Sequence, residues 1–195
     1  MKPRERNIKR FTKHMGKTIG SERVGGEWIM SNVTSTEINN AVHWYYTARA
    51  DCQVIADEHD IPLAVACGVV AAWSPRMRWH LNLHVADQHL KGKTRLGMPA
   101  SAKRADRVLV HGIEALNTPT GQKTHNFAWN LLGDTYAVTI DTWMLTAAGL
   151  ETDRVSSRLM YEELSRAVRR LAKRHGMQPA EMQALIWIKV RGSAN

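Results

Sequence analysis

Apolar residues recur at helical intervals along most of the chain. Ile38, Ala41, Val42, Tyr45, Ala48, Cys52, Ile55 and Ala56 keep to one helical face, and Thr34 with Glu37 has the spacing of a capping box before them. His59-Asp60-Ile61-Pro62 ends that helix and opens the next, where proline suits a first turn. Residues 62–73 are almost wholly apolar, which predicts a central buried helix. Ser74-Pro75 breaks it, and a third helix is expected over about 76–91. After the connection Gly92–Pro99, a basic amphipathic helix is expected from about Ser101 to Leu116, then a hairpin at Asn117–Gln122 and a helix to Leu132. Gly133-Asp134 turns the chain, Tyr136–Ile140 reads as extended, and Asp141 caps a short helix to Ala148. Two helices, near 153–175 and 179–190, follow on either side of Gly176-Met177-Gln178-Pro179. The pattern predicts an all-α fold.

Charge adds a partner class. Lys+Arg number 27 against 18 Asp+Glu, a net charge of +9 in 195 residues. That sign favours a polyanion, and nucleic acid is the usual one. Residues 1–18 concentrate it: Lys2, Arg4, Arg6, Lys9, Arg10, Lys13 and Lys17 face a single acid, Glu5, and the segment reads as a basic, flexible tail before one globular domain at 19–195. The two cysteines, Cys52 and Cys67, read as reduced core thiols. No apolar stretch is long enough for a membrane span and no signal-peptide core follows the basic start, so a cytoplasmic protein is expected.

The chemistry-bearing run is Gly121-Gln122-Lys123-Thr124-His125-Asn126, with Thr139-Ile140-Asp141-Thr142 following it; Lys123 stands eighteen residues before Asp141. This resembles the helix-hairpin-helix DNA glycosylase superfamily (endonuclease III-like), in which a G-x-K-T-A-N hairpin opens a helix and a V-D-T segment follows at the same interval. Val69-Val70-Ala71-Ala72-Trp73-Ser74-Pro75 stands where the family has an L-L-S-A-Q helix end. Leu96-Gly97 with Ser101-Ala102-Lys103-Arg104-Ala105 resembles the family's G-L-x-x-x-K-A stretch. The resemblance implies two helical subdomains flanking a DNA-binding cleft, one over about 60–140 and the other from about 20–58 plus 142–195. It implies duplex DNA with an extruded base as partner, Lys123 as the nucleophile at the sugar C1′, and Asp141 as the carboxylate that supports the charge developing there.

The departures are equally specific. The family hairpin reads L-P-G-V-G; here it is Asn117-Thr118-Pro119-Thr120-Gly121, so Pro119 lacks a donor where a glycine would supply one, while Gly121 is expected to keep its own for a phosphate. Ser74 stands near the place of the glutamine that fills the gap left by a flipped base, and Trp143 replaces the histidine after D-T. The four-cysteine loop of many relatives is missing, so no iron–sulfur cluster, other cofactor or metal is expected. These traits describe a compact, divergent member of the kind a phage could encode, which would place it in the host cytoplasm.

Cleaving an N-glycosidic bond leaves positive charge on the sugar, and a fixed carboxylate in a dry site stabilises it. A lysine amine can attack C1′ and form a Schiff base, from which elimination nicks the strand. The base must first leave the stack. Phosphate and stacking contacts are expected from Gly121, Gln122 and Thr124 at the hairpin, Ser74, Arg76, Arg78 and Trp79 after the buried helix, and Lys103, Arg104 and Arg107 before the hairpin. Arg166, Arg169, Arg170, Lys173 and Arg174 form a further basic stripe, which Glu162 and Glu163 could instead turn to helix pairing. Each key residue also has an ordinary reading: Lys123 as a surface lysine in a first turn, Asp141 as an N-cap only. His80 and His84, with Asp87 or His89, have metal-pair spacing but no acidic partner between them. Trp129 and Trp187 read as core, and Asn126 or Asn130 could orient a nearby group.

Three functions follow. The first is a DNA glycosylase, with or without lyase activity, excising a damaged or modified base. The second is a phage base-hypermodification enzyme that couples an amine to an activated thymine on the same fold. The third is a non-catalytic DNA-binding module.

Overall fold

The computed structural model describes residues 4–93, 98–151 and 157–192. Leu96 and Gly97, part of the resemblance, lie outside them, as do Lys2 and the expected helix start at 153–156. The chain is mostly helical: α1 Glu5–Thr18, α2 Ser35–Glu58, α3 Leu63–Trp73, α4 Trp79–Leu90, α5 Pro99–His111, α6 Gln122–Leu132, α7 Thr142–Ala147, α8 Arg158–Arg174 and α9 Pro179–Arg191. One antiparallel hairpin, β1 Ser21–Val24 with β2 Glu27–Met30, pairs Ser21 with Met30 and turns through Gly25-Gly26, both at positive φ. No helix among the described residues is long and apolar enough to cross a membrane.

The chain divides into two compact units, Met1–Tyr45 with Thr135–Ala194, and Tyr46–Asp134. Both boundaries differ from those expected, near 58–60 and 140–142. The first falls inside α2, because its second half packs into the Tyr46–Asp134 unit: the free Cys52 and Cys67 thiols are buried as neighbours, and Asp51 Oδ2 accepts from Trp79 Nε1 at 2.7 Å. Residues 135–140 belong to the other unit because the Tyr161 hydroxyl donates to Val138 O and accepts from Ile140 N–H.

The first unit corrects the flexible tail. Ile8, Phe11, Met15 and Ile19 are buried, and α1 packs along α8. Glu163, 2% exposed, accepts from Arg4 N–H and from Asn7 Nδ2, each at 2.8 Å, so a buried carboxylate fixes the start of α1. The cations project outward, which is why they do not prevent folding. Ala41, Val138, Ile140, Met144, Leu164, Leu171 and Leu185 complete this core. The capping box forms: Thr34 N–H donates to Glu37 Oε2 at 2.7 Å and Glu37 N–H to Thr34 Oγ1 at 3.2 Å. Val42, expected on the buried face of α2, is exposed.

The second unit centres on α3, whose residues from Ala66 to Trp73 are all buried and which packs against α4, α5 and α6. Gly68 permits the approach of α5, since a Cβ there would meet Val108 Cγ1 at 2.6 Å. The basic helix stops earlier than expected. Gly112, at φ 71, ends α5, and Ile113–Leu116 is a separate 3-10 turn that buries Ile113 and Leu116.

Candidate functional site

The turn before α6 is closed by its own backbone. Asn117 N–H donates to Glu114 O, Thr118 N–H to Leu116 O, and Gly121 N–H to Thr118 O at 3.0 Å. Gly121 is required by close approach, because a Cβ there would collide with the Leu116 carbonyl and Thr118 Oγ1. The expectation that Gly121 offers its N–H to a phosphate is therefore corrected: that donor closes the turn. Lys123 follows in the first turn of α6, half-buried, with no ion pair or hydrogen bond among the described residues. Thr124 is buried and Gln122 half-buried. Asn126 Nδ2 donates to Gln122 O and Asn130 Nδ2 to Asp134 O, so both asparagines brace backbone near their own helix. His125 Nε2 lies 3.2 Å from Glu114 Oε1 and 3.0 Å from Trp129 Nε1. His125, ahead of Asn117, holds the Glu114 carboxyl below the usual carboxylate range.

The segment after α3 approaches the same helix. Trp79 meets Phe127 edge-on at 6.4 Å, and Phe127 is one turn beyond Lys123 on its face of α6. Trp79 is thus held between Phe127 and Asp51 rather than presented freely. Arg76, at φ 61, and Arg78 are exposed, and so is Lys103. Three expected DNA contacts turn inward: Ser74 Oγ bonds Ala71 O, Arg104 Nη2 bonds Ser101 Oγ, and Gly121 closes the turn. Arg107 Nη2 bonds Ala115 O.

Asp141 belongs to the other unit and sits among aromatics. It caps α7, with Oδ1 accepting from Met144 N–H at 3.0 Å, while Oδ2 accepts from Trp187 Nε1 at 3.0 Å. Trp187 is half-buried, lies 5.9 Å from Trp44, and is covered by the Arg191 guanidinium at 4.6 Å. Its role as core filler is thereby extended to holding a carboxylate. The neighbouring Tyr45 hydroxyl donates to Gln183 Oε1 at 2.6 Å; burial pushes its pKa up, and the Asp141 charge adds to this. Trp143 is 41% exposed. Trp187, Trp44 and Tyr45 carried no sequence signal as site residues, because Trp187 is 46 positions from Asp141 and no spacing rule connects them.

His80 and His84, whose spacing would suit a metal pair, do not gather with Asp87 and His89. His80 and His84 are exposed, His89 is buried beside Trp73, and Asp87 turns to His59 Nε2 at 2.9 Å and Lys91 Nζ at 2.8 Å. Burial raises the Asp87 pKa, but bonds from Lys91, His59 and Gln88 outweigh it and hold it down at about 2. Glu58, His59 and Asp87 are the donors that come within metal-ligand reach of one another among the described residues, and Lys91 already neutralises the group.

A family model described as a family of unknown function (DUF7178) matches residues 23–194, and the chain belongs to that family. No curated protein and no solved structure matches it.

Proposed function

We propose that this protein is a DNA base-excision enzyme in which Lys123 attacks the deoxyribose C1′ and Asp141 supports the charge that develops on the sugar. The observation that carries this reading is the contrast in how the two groups are held. Asp141 has both oxygens fixed by N–H donors, whereas Lys123 follows a tight glycine turn with its amine unpartnered among the described residues. A preorganised carboxylate costs no reorganisation when positive charge appears nearby. An unpaired amine is the form that can be directed to a substrate carbon. Arg76, Arg78 and Lys103, all exposed on the unit that carries Lys123, are suited to duplex phosphates. The closed turn at Gly121 counts against a module that keeps its hairpin only as a phosphate clamp.

The reading is tested at the bond that Lys123 would form. Attack by the Lys123 amine on C1′ expels the base, and opening of the sugar ring at the C1′–O4′ bond then yields an imine, which borohydride reduces to a permanent secondary amine. Trapping on duplex oligonucleotides with damaged, modified and abasic sites, comparing wild type with Lys123→Ala, therefore tests it. An adduct lost in the variant is expected. Intact, untrapped DNA across the panel sinks the lyase reading, and a nucleoside of altered mass in that DNA assigns the site to base modification.

A further inference from the structure

Away from Lys123, the unit that carries Asp141 has a groove of about 680 Å3 along α8. Its size is that of a site for a nucleotide-sized group. Ile8, Ala172 and Pro179 provide an apolar lining, and Arg166, Arg169, Arg170 and Lys173 edge it at intervals that place them on one side of the helix. Two of these cations are matched, Arg166 with Glu162 and Arg170 with Glu5, each at 2.8 Å. Among the described residues neither of the other two meets a carboxylate: Lys173 is exposed, and Arg169 bonds the Tyr136 carbonyl while its guanidinium lies 4.3 Å over the Tyr136 ring. Tyr136 is 64% exposed at the groove.

We infer that this groove binds single-stranded DNA, with one base joining the Tyr136–Arg169 stack and an adjacent phosphate on Lys173. An exposed aromatic beside unneutralised cations is the combination that single strands use, because their bases present free faces while their backbone is a polyanion. Duplex bases are already stacked and can use only the cations. An acidic peptide could pair with Lys173 but would gain nothing specific from the ring. The choice of DNA rests on the excision reading, in which the strand is locally unpaired near an extruded nucleotide.

The test is anisotropy with labelled dT12 and a 12-bp duplex on the full chain. Tyr136→Ala should weaken dT12 about ten-fold and leave the duplex within about two-fold, with Tyr136→Phe near wild type. Lys173→Ala should weaken both and lower the salt slope by about one. Arg169 bonds the backbone carbonyl of residue 136, so truncating the exposed ring leaves that link in place. No change in Tyr136→Ala, or equal loss on both DNAs, overturns the inference, as does displacement of dT12 by polyglutamate as readily as by poly-dT. Trapping by Lys123 is read separately on duplex. An adduct on duplex with dT12 affinity unchanged by Tyr136→Ala would sink the groove and spare excision; Tyr136-dependent dT12 binding without an adduct would do the reverse.

Discussion

The surroundings of Asp141 and Lys123 differ in kind. Asp141 is held by the start of α7 and by an indole from α9, which itself lies between Trp44 and Arg191. Lys123 has a rigid base, the turn closed at Gly121, but its amine is bound to nothing among the described residues. One region fixes the side chain; the other fixes only the backbone from which the side chain extends. A group that acts by its charge benefits from the first arrangement, and a group that must form a bond benefits from the second.

The comparison breaks first at Asp141. Asp141→Asn keeps an N-cap acceptor but removes the charge, so excision should fall about 10²- to 10³-fold with DNA affinity nearly unchanged. Single-turnover rates beside anisotropy would show it; an active Asp141→Asn enzyme would leave the carboxylate as a cap alone. Gly121→Ala attacks the other region. Its Cβ meets the Leu116 carbonyl, backbone that cannot swing aside, and a loss of about 2 kcal/mol is expected in denaturant unfolding. Trp187→Phe sharpens the contrast by removing the indole donor while keeping a ring. It should cost about 1 kcal/mol of stability and lower the single-turnover rate while leaving Lys123-dependent trapping of an abasic site detectable.

The smallest effect concerns Asp87, a carboxylate as well anchored as Asp141 but outside the proposed chemistry. Its folded pKa, about 2, is below its usual value of 3.8. Its contribution is therefore present above pH 4 and is lost as pH falls from about 4 through about 2. Lys91 is 54% exposed and screened, so about 1 kcal/mol is expected. Acid unfolding of Asp87→Asn should show a correspondingly shallower loss over that window, while trapping at neutral pH stays unchanged.

What could be read in advance was local. The Thr34–Glu37 capping box, the Asp141 cap, and the helix end at Gly133 (φ 111) depend on residues within a few positions of one another. The 3-10 turn at Ile113–Leu116 is indistinguishable from continued helix in the sequence because its apolar spacing fits both. In α1 the stripe Ile8, Phe11, Met15 was present in the sequence but outweighed by the seven cations among which it lies. The hairpin at Ser21–Met30 is short and mostly exposed, so it lacks the alternation that marks a half-buried strand.

By itself, then, the sequence determined the helical character, most helix ends, and the eighteen-residue interval between Lys123 and Asp141. Periodicity and capping act over one or two turns, and they are written in neighbouring residues. The tertiary structure alone decided that Glu163 anchors α1, that Cys52 meets Cys67, that Asp87 takes His59 and Lys91 in place of the other histidines, and that Trp187 holds Asp141. Apart from the one-turn Asp87–Lys91 pair, these contacts join residues far apart in the chain. Many partners of similar chemistry compete for each, and only the packing of whole helices selects among them.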